Sequence, residues 1–523
     1  MTLNKISIYR LLEIFPGVLS WCVLILPVVL IFYYPAIVAI FVVFYTLLWF
    51  IRSFIMSYNL IFSYIKVKRA TKIDFLGKCR LFQALGAGKE AENLEEEKIK
   101  KRIHRLKKKD QYLKFDNLYH VVILATYKED LTVLKRSIQA LKESNFPSEK
   151  VFFVLAAEER GRSDIKEVSD ALKSEYASSF KEFFVYLHPD GLPGEVIGKG
   201  GNITFAGRQV LREIKKRQIP LENVLVTTLD ADNCVSREYL AYLSLEYLKA
   251  KKRTRKSYQP LPFFSNNFWK VSMINRVVST SSSFWQMIES NRPSRLRNFS
   301  AHAQSLKTLV DTDFWSVESI VEDGHQYWRT YFTYNGDHQV IPLFVAIYQD
   351  AVEAETTWQM IVNQYKQLRR WAWGVSDIAF VAQKTWEKRR LLPWAKTLLN
   401  LFRLVEGHLM WATLAITVTI NNNLLHLFNP DFRSTVMAYN ASHLVGKFFT
   451  YSFIGLIVLI YMSLLISPAR NTRKSNLWDK GKVILQWLLI PIVTVFFGAL
   501  PAIDAQTRLM LGKRLEFWVT PKS

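Results

Sequence analysis

The chain has 523 residues, half of them apolar, with 69 Lys and Arg against 45 Asp and Glu for a formal charge of +24. That length exceeds one ordinary domain, and that charge suits a negatively charged partner: nucleic acid, anionic lipid headgroups or a phosphorylated small molecule. The three cysteines, Cys22, Cys79 and Cys234, lack the paired spacings of zinc sites and disulfide frameworks, which argues against both.

The first elements are apolar and almost free of charge. "GVLSWCVLILPVVLIFYY" (17–34) and "PAIVAIFVVFYTLLWFI" (35–51) each approach the ~20 residues that cross a hydrocarbon core. No small-residue cleavage site follows the first, and the second begins at once, so it is not read as a cleavable leader. Lys5 and Arg10 precede this hairpin and "KVKRATK" (66–72) follows it. Positive charge marks the cytoplasmic side of a membrane, so both ends of the hairpin, and the polar middle after it, are expected in the cytoplasm. The division expected is 1–66 for the hairpin, 67–117 for a charged linker or helix, 118–384 for a cytoplasmic domain, and 385–523 for an interface helix and further spans.

Residues 89–114, opening "KEAENLEEEKIKKRIHRLKKKD", carry acids early and bases late, a polarity that suits the helix dipole. A solvated helix near anionic lipid is expected. From residue 119 the pattern changes to short apolar runs: "YHVVILATY" (119–127), "KVFFVLAAEE" (150–159), "KEFFVYLHP" (181–189) and "NVLVTTLDADN" (223–233). Between the first two, Leu131, Leu134, Ile138 and Leu141 recur at helical spacing. Strands alternating with helices predict an α/β fold, a mostly parallel sheet with helices on both faces. Ligands of such sheets bind at the carboxyl ends of the strands.

The residues at those ends carry the chemistry. Thr126, Tyr127 and Glu129 follow the first strand, and Glu158 and Glu159 end the second. After the third comes "GEVIGKGGNITFA", where Lys199 offers charge to a phosphate and Gly198, Gly200 and Gly201 are expected to let backbone approach a ligand. Its spacing matches neither a Walker loop nor a dinucleotide fingerprint. Asp230-Ala231-Asp232 leaves the fourth strand with two hard carboxylates, the donors preferred by Mg²⁺ or Mn²⁺; a turn or helix cap is the plainer alternative. Glu322 and Asp323 open an aromatic-rich segment, where they suit either a helix start or a general base. His325 beside them reads as a packing residue.

"QLRRWAWG" (367–374) concentrates Arg and Trp before the next spans. A tryptophan-rich helix at a membrane interface would look the same. Then come "LLNLFRLVEGHLMWATLAITVTI" (398–420), whose spanning part is expected from about Leu404 to Ile420, "LVGKFFTYSFIGLIVLIYMSLLI" (444–466) and "VILQWLLIPIVTVFFGALPAI" (483–503). The basic stretches 467–482 and 508–523 cannot both be cytoplasmic if the last span is complete, so a break at Pro491 or Pro501 is one expectation.

In order, "ATYKED", "AAEE", "GKGGN", "DAD", "VED" and "QLRRW" resemble the membrane-embedded, processive branch of glycosyltransferase family 2, the group containing cellulose, chitin and hyaluronan synthases. The resemblance covers roughly residues 118–375. It implies a GT-A-like (Rossmann-like) domain binding a nucleotide-sugar donor, with Thr126, Tyr127, Glu129 and Glu158 or Glu159 around the nucleoside. It further implies Lys199 and Arg370 on the diphosphate, Asp230 on the nucleotide and Asp232 on Mg²⁺ or Mn²⁺. Asp323 matches the proposed base of the family's Thr-Glu-Asp, though Val321 replaces the threonine, and Glu322, Gln367 and Trp371 fall to the acceptor side. The function implied is metal-dependent, inverting sugar transfer to a glycan or polysaccharide acceptor at the cytoplasmic face of a cell membrane, in contact with membrane lipids. Single-sugar transfer to a polyprenyl phosphate or other lipid is the alternative. A non-catalytic basic module is a remote second, and nucleic acid is not expected as a partner.

Overall fold

The computed structural model describes residues 7–470 and 477–516. Lys5, the 471–476 part of the basic connection and the 517–523 part of the tail lie outside the described residues. The chain divides into two compact units, one of Ser63–Asn266 with Glu289–Asp350, the other of the residues up to Phe62, Asn267–Ile288 and the residues from Ala351.

The first unit is built on an eight-stranded sheet. Its strands are β1 (Tyr119–Thr126), β2 (Val151–Glu158), β3 (Glu182–His188), β4 (Val224–Asp230), β5 (Cys234–Val235), β6 (Lys256–Phe264), β7 (His302–Ser305) and β8 (Gln339–Gln349), in the order β3-β2-β1-β4-β7-β6-β8-β5. β3, β2, β1 and β4 run parallel, as do β6 and β8. β7 enters antiparallel between β4 and β6, and β5 pairs antiparallel with β8, so the sheet is mixed.

The four parallel strands are the four apolar runs of the sequence. Their side chains alternate between faces, and Val121, Val122, Ile123 and Leu124 are all buried, so both faces are covered. On one face Val121, Ile123, Phe152, Val154 and Val226 pack against Ile203, Ala206, Val210 and Ile214 of the Lys199–Lys216 helix. Those four helical residues recur at the spacing that aligns one face of a helix.

The charged stretch forms the helix Leu94–Lys107, whose Asn93 side chain accepts the Glu95 and Glu96 amides at 3.0 Å. Acids fill its first turn and bases its last, in keeping with the dipole. It is not wholly solvated, because Ile103 and Leu106 are buried. A helix the sequence pattern did not separate, Phe75–Ala87, precedes it with Asp74 as its cap.

The second unit carries the apolar helices. Among the described residues five are long and apolar enough to cross a membrane: Ile8–Leu30, Pro35–Ala70, Trp394–Thr419, Val436–Ile466 and Leu477–Met510. They lie before and after the sheet-forming residues in sequence, as in a multi-pass integral membrane protein. The expected break at Pro491 or Pro501 does not occur. Instead the helical path continues and changes winding, with a 3₁₀ turn at Gln486–Leu489 and a π segment at Thr494–Ala499 that accommodate the missing proline donors.

Polar contacts hold these helices together where apolar side chains offer no selectivity. Ser20 Oγ donates to Gln506 Oε1 at 2.5 Å, and Gly17 lies so near the Gln506 carbonyl that a Cβ would come within 2.9 Å of it. Arg10 donates to the Leu509 and Met510 carbonyls at 2.7 and 2.6 Å, filling the acceptors that end that helix. Glu406, a charged residue within the Trp394–Thr419 helix, forms an ion pair with Arg52 of the Pro35–Ala70 helix.

Candidate active site at the strand ends

The turn after β1 is shaped by Glu129. One of its carboxylate oxygens accepts from Thr126 Oγ1 at 3.0 Å, the Tyr127 amide at 2.7 Å and the Lys128 amide at 3.2 Å. The carboxylate thus fixes the turn that presents Tyr127. Gly161 crosses behind it, where a Cβ would come within 1.9 Å of the Tyr127 carbonyl oxygen. The Arg160 guanidinium lies 4.4 Å from the Tyr127 ring centroid and pairs with Glu158.

Glu158 and Glu159 face different surroundings. Glu158 is 5% exposed, and burial raises its carboxyl to about 7 against the pull of Arg160. Glu159 is exposed and accepts the Asp190 amide at 3.3 Å.

Lys199 opens the Lys199–Lys216 helix just after Gly198. Its ammonium donates to Asp230 Oδ1 at 2.7 Å. The other oxygen of Asp230 accepts from Ser300 Oγ at 2.7 Å, and the Ser300 amide donates to Asp323 Oδ2 at 2.6 Å. Asp323 Oδ1 accepts the Gly324 amide at 2.7 Å, in the first turn of the Glu322–Thr333 helix. One residue therefore ties the carboxylate at the end of β4 to the carboxylate at a helix start.

Ser300 does so with φ at +43°, in the left-handed region. Its carbonyl lies 3.2 Å from His302 Nδ1, and Trp315 Nε1 donates to His302 Nε2 at 3.0 Å. With Nε2 accepting, Nδ1 carries the proton and donates to that carbonyl. Burial lowers His302 to about 4, which keeps the ring neutral in this role.

The glycines after Lys199 also meet the protein itself. They form the first turn of a helix, and a Cβ on Gly200 would meet the Ser316 carbonyl at 2.3 Å and Glu322 Cβ at 3.3 Å. At Gly200 the close approach is to the protein's own backbone, and at Gly201 a Cβ would come within 2.5 Å of the Glu195 carboxylate. Asn202, one turn on, donates to the Ala156 carbonyl of β2 at 2.8 Å. Glu322 is buried beside this packing.

Asp232 is 2% exposed, and its Oδ2 accepts the Asp350 amide at 2.8 Å. Asp350 is held by two contacts from Arg136, at 2.7 and 2.8 Å. Its carboxyl is raised to about 6, chiefly by burial and further by Asp232, with Arg136 opposing. Among the described residues no three His, Cys, Asp or Glu side chains are grouped to hold a metal by themselves. Sequence reasoning missed Ser300, Asp350 and Arg136; the position of Asp350 just after β8 was the one signal available.

Within the sheet unit, then, Lys199, Asp230 and Asp323 meet through Ser300, while Thr126, Tyr127, Glu129 and Glu158 gather at the ends of β1 and β2. Gln367, Arg370 and Trp371 belong to the membrane unit, on the helix Thr357–Ala372 that Thr356 and Gln359 open as a capping box. Gln367 is buried and accepts from Gln364 Nε2 at 3.0 Å, and Trp371 is half-buried. Neighbouring Arg369 donates to Asp504 Oδ2 at 2.9 Å.

No family model matches this chain, and no curated protein matches it either. Among solved structures it is similar to the mannosyltransferase PcManGT from Pyrobaculum calidifontis in complex with GDP-Man and Mn²⁺, at 15% identity and a TM-score of 0.39, over 69% of this chain and 87% of that one. It is similar to S. aureus TarS 1-349 in complex with UDP-GlcNAc at 13% identity and 0.32, over 72% and 91% of the two chains. GalNAc-T7 with UDP, GalNAc and Mn²⁺ aligns at 10% identity and 0.33, over 56% and 58%.

Proposed function

We propose that the chain is a membrane-embedded glycosyltransferase that moves a sugar from a nucleotide-sugar donor to a growing glycan, with inversion, at the cytoplasmic membrane face. The observation that carries this reading is the Lys199–Asp230–Ser300–Asp323 array at the carboxyl end of the sheet. It offers a cation for a diphosphate and, a few bonds away, a carboxylate held for proton removal.

The donor breaks at its anomeric carbon, and negative charge grows on the departing nucleoside diphosphate. Lys199, with three donors on its ammonium, meets that charge while keeping its contact to Asp230. Asp323 takes the proton of the attacking hydroxyl, its free lone pairs directed by the Ser300 and Gly324 amides. One carboxylate suffices for a single displacement, which inverts the anomeric centre. Tyr127 and Glu158 flank the nucleoside, with Glu158 rather than Glu159 at that place because it pairs with Arg160 over the Tyr127 ring. Trp371 and Gln367 serve the acceptor and Arg370 the diphosphate.

A divalent ion fits this donor set. Asp230 and Asp232 are hard oxygen donors one residue apart, and Mg²⁺ characteristically takes one or two carboxylates with substrate phosphates and waters. Asp232 would hold it, and the chemistry it would supply when bound is neutralisation of charge on the leaving group.

The test is incubation of the full-length protein in membranes with UDP- and GDP-sugars and Mg²⁺ or Mn²⁺, reading nucleoside diphosphate release and product length. Release with one donor and polymeric product is expected. No release from any donor overturns the reading, and one sugar per lipid acceptor overturns its processive part.

A further inference from the structure

A second basic site lies away from the strand ends. A cavity of about 490 Å³ in the sheet unit is lined by Lys66, Arg69, Lys78, Lys98, Arg102 and Lys249, six cations against the carboxylates Glu95 and Glu246. Part of this charge is satisfied locally. Lys78 pairs with Glu95 at 2.5 Å, Lys249 with Glu246 at 3.1 Å, and Arg102 Nε donates to the Lys249 carbonyl at 2.9 Å. Arg69 and Lys98, both exposed, form no ion pair among the described residues. Lys66 lies 4.8 Å from the Phe344 ring centroid, so the wall behind the charges is aromatic.

What stands beside the cavity says which anion it fits. Lys66 and Arg69 are in the last turns of the Pro35–Ala70 helix, which is long and apolar enough to cross a membrane. On that helix Ile51, Ile55, Tyr58, Phe62 and Ile65 are all exposed. Steps of four and three residues put them on one face, and an exposed apolar face on a spanning helix is a face toward lipid. That face ends at Ile65, one residue before the first cation. In a bilayer the layer just past the acyl chains is the phosphate layer, and clustered bases at that level attract anionic headgroups.

We infer that this cavity binds the phosphate-bearing headgroup of an anionic glycerophospholipid. The occupant's diester phosphate sits among Lys66, Arg69 and Lys98. The site is independent of the transfer chemistry and stands whether or not the donor proposal does.

The experiment uses full-length protein in neutral detergent and three probes: dihexanoyl phosphatidylglycerol, dihexanoyl phosphatidylcholine and inorganic phosphate, with binding read by thermophoresis. Phosphatidylglycerol is expected to bind roughly tenfold tighter than either other probe. Arg69→Glu with Lys98→Glu removes that preference, and Lys166→Glu with Lys173→Glu, exposed bases on another helix, keeps it. Should the double glutamate variant fail to fold by circular dichroism, Arg69→Gln with Lys98→Gln replaces it, with the same loss expected. Undiminished phosphatidylglycerol binding in the folded variant overturns the inference, as does equal binding of phosphatidylcholine. Inorganic phosphate binding as tightly as the lipid assigns the cavity to free anions and overturns it too.

Discussion

The Ser300 amide donates to Asp323 Oδ2 at 2.6 Å, from a backbone held at φ +43°. The strain and the hydroxyl contact to Asp230 are separable. Ser300→Ala keeps the strained backbone and loses the hydroxyl; Ser300→Gly loses both. We expect turnover to fall roughly tenfold in each, the cost of one hydrogen bond to a charged group. The Gly variant should be the more stable of the two by about 1 kcal/mol, because glycine adopts positive φ without penalty. Chemical unfolding alongside donor turnover checks both.

Asp323→Asn removes the base and keeps the shape. Turnover is expected to fall by about 10²–10⁴, the range for a positioned general base, with donor affinity unchanged. Nucleoside diphosphate release and equilibrium binding of the donor, measured together, separate the two effects.

Lys199→Met removes the cation next to Asp230. The affinity for nucleoside diphosphate is expected to fall by about 1.5–3 kcal/mol, the worth of a hydrogen bond to a charged group, and Lys199→Arg to recover part of it. Competition binding with UDP and GDP reads this without requiring turnover.

Glu158 makes stability depend on pH. Its folded-state carboxyl is raised by burial from 4.5 to about 7, so the fold prefers the protonated form. That contribution is present in full below the ordinary value and is lost as pH climbs through the raised one. Glu158→Gln resembles the protonated form, so its unfolding midpoint should vary less than the parent's across that window. A series of thermal unfolding curves from about pH 4 to about pH 8 checks the slope.

Arg136→Met leaves the Asp350 carboxylate buried beside Asp232 with its partner gone. Breaking a buried pair from one side costs about 3–5 kcal/mol. The Arg136 side chain is 37% exposed and the pair correspondingly screened, so about 2 kcal/mol is expected. Asp350→Asn in the same background should restore part of the loss, as a double-mutant cycle in unfolding free energy would show.

The sequence alone determined what is local. Apolar length marked the five helices that, among the described residues, are long and apolar enough to cross a membrane. Continuous runs of Val, Ile, Leu and Phe marked β1 to β4, and in β1, β2 and β4 burial on both faces leaves no polar alternation to hide them. Acidic residues at the ends of those strands were legible for the same reason, since a strand end is visible where its apolar run stops. What tertiary structure decided is which groups meet. Ser300 and Asp230 are seventy positions apart. They touch because β7 enters antiparallel between β4 and β6, a pairing that no short-range pattern encodes. Gly200 shows the same limit: a missing side chain signals that something approaches closely, and the fold brings the Ser316 carbonyl there. Arg136 and Asp350 stayed hidden because an ion pair across 214 positions depends on the order of strands, and that order is set by packing the whole sheet at once.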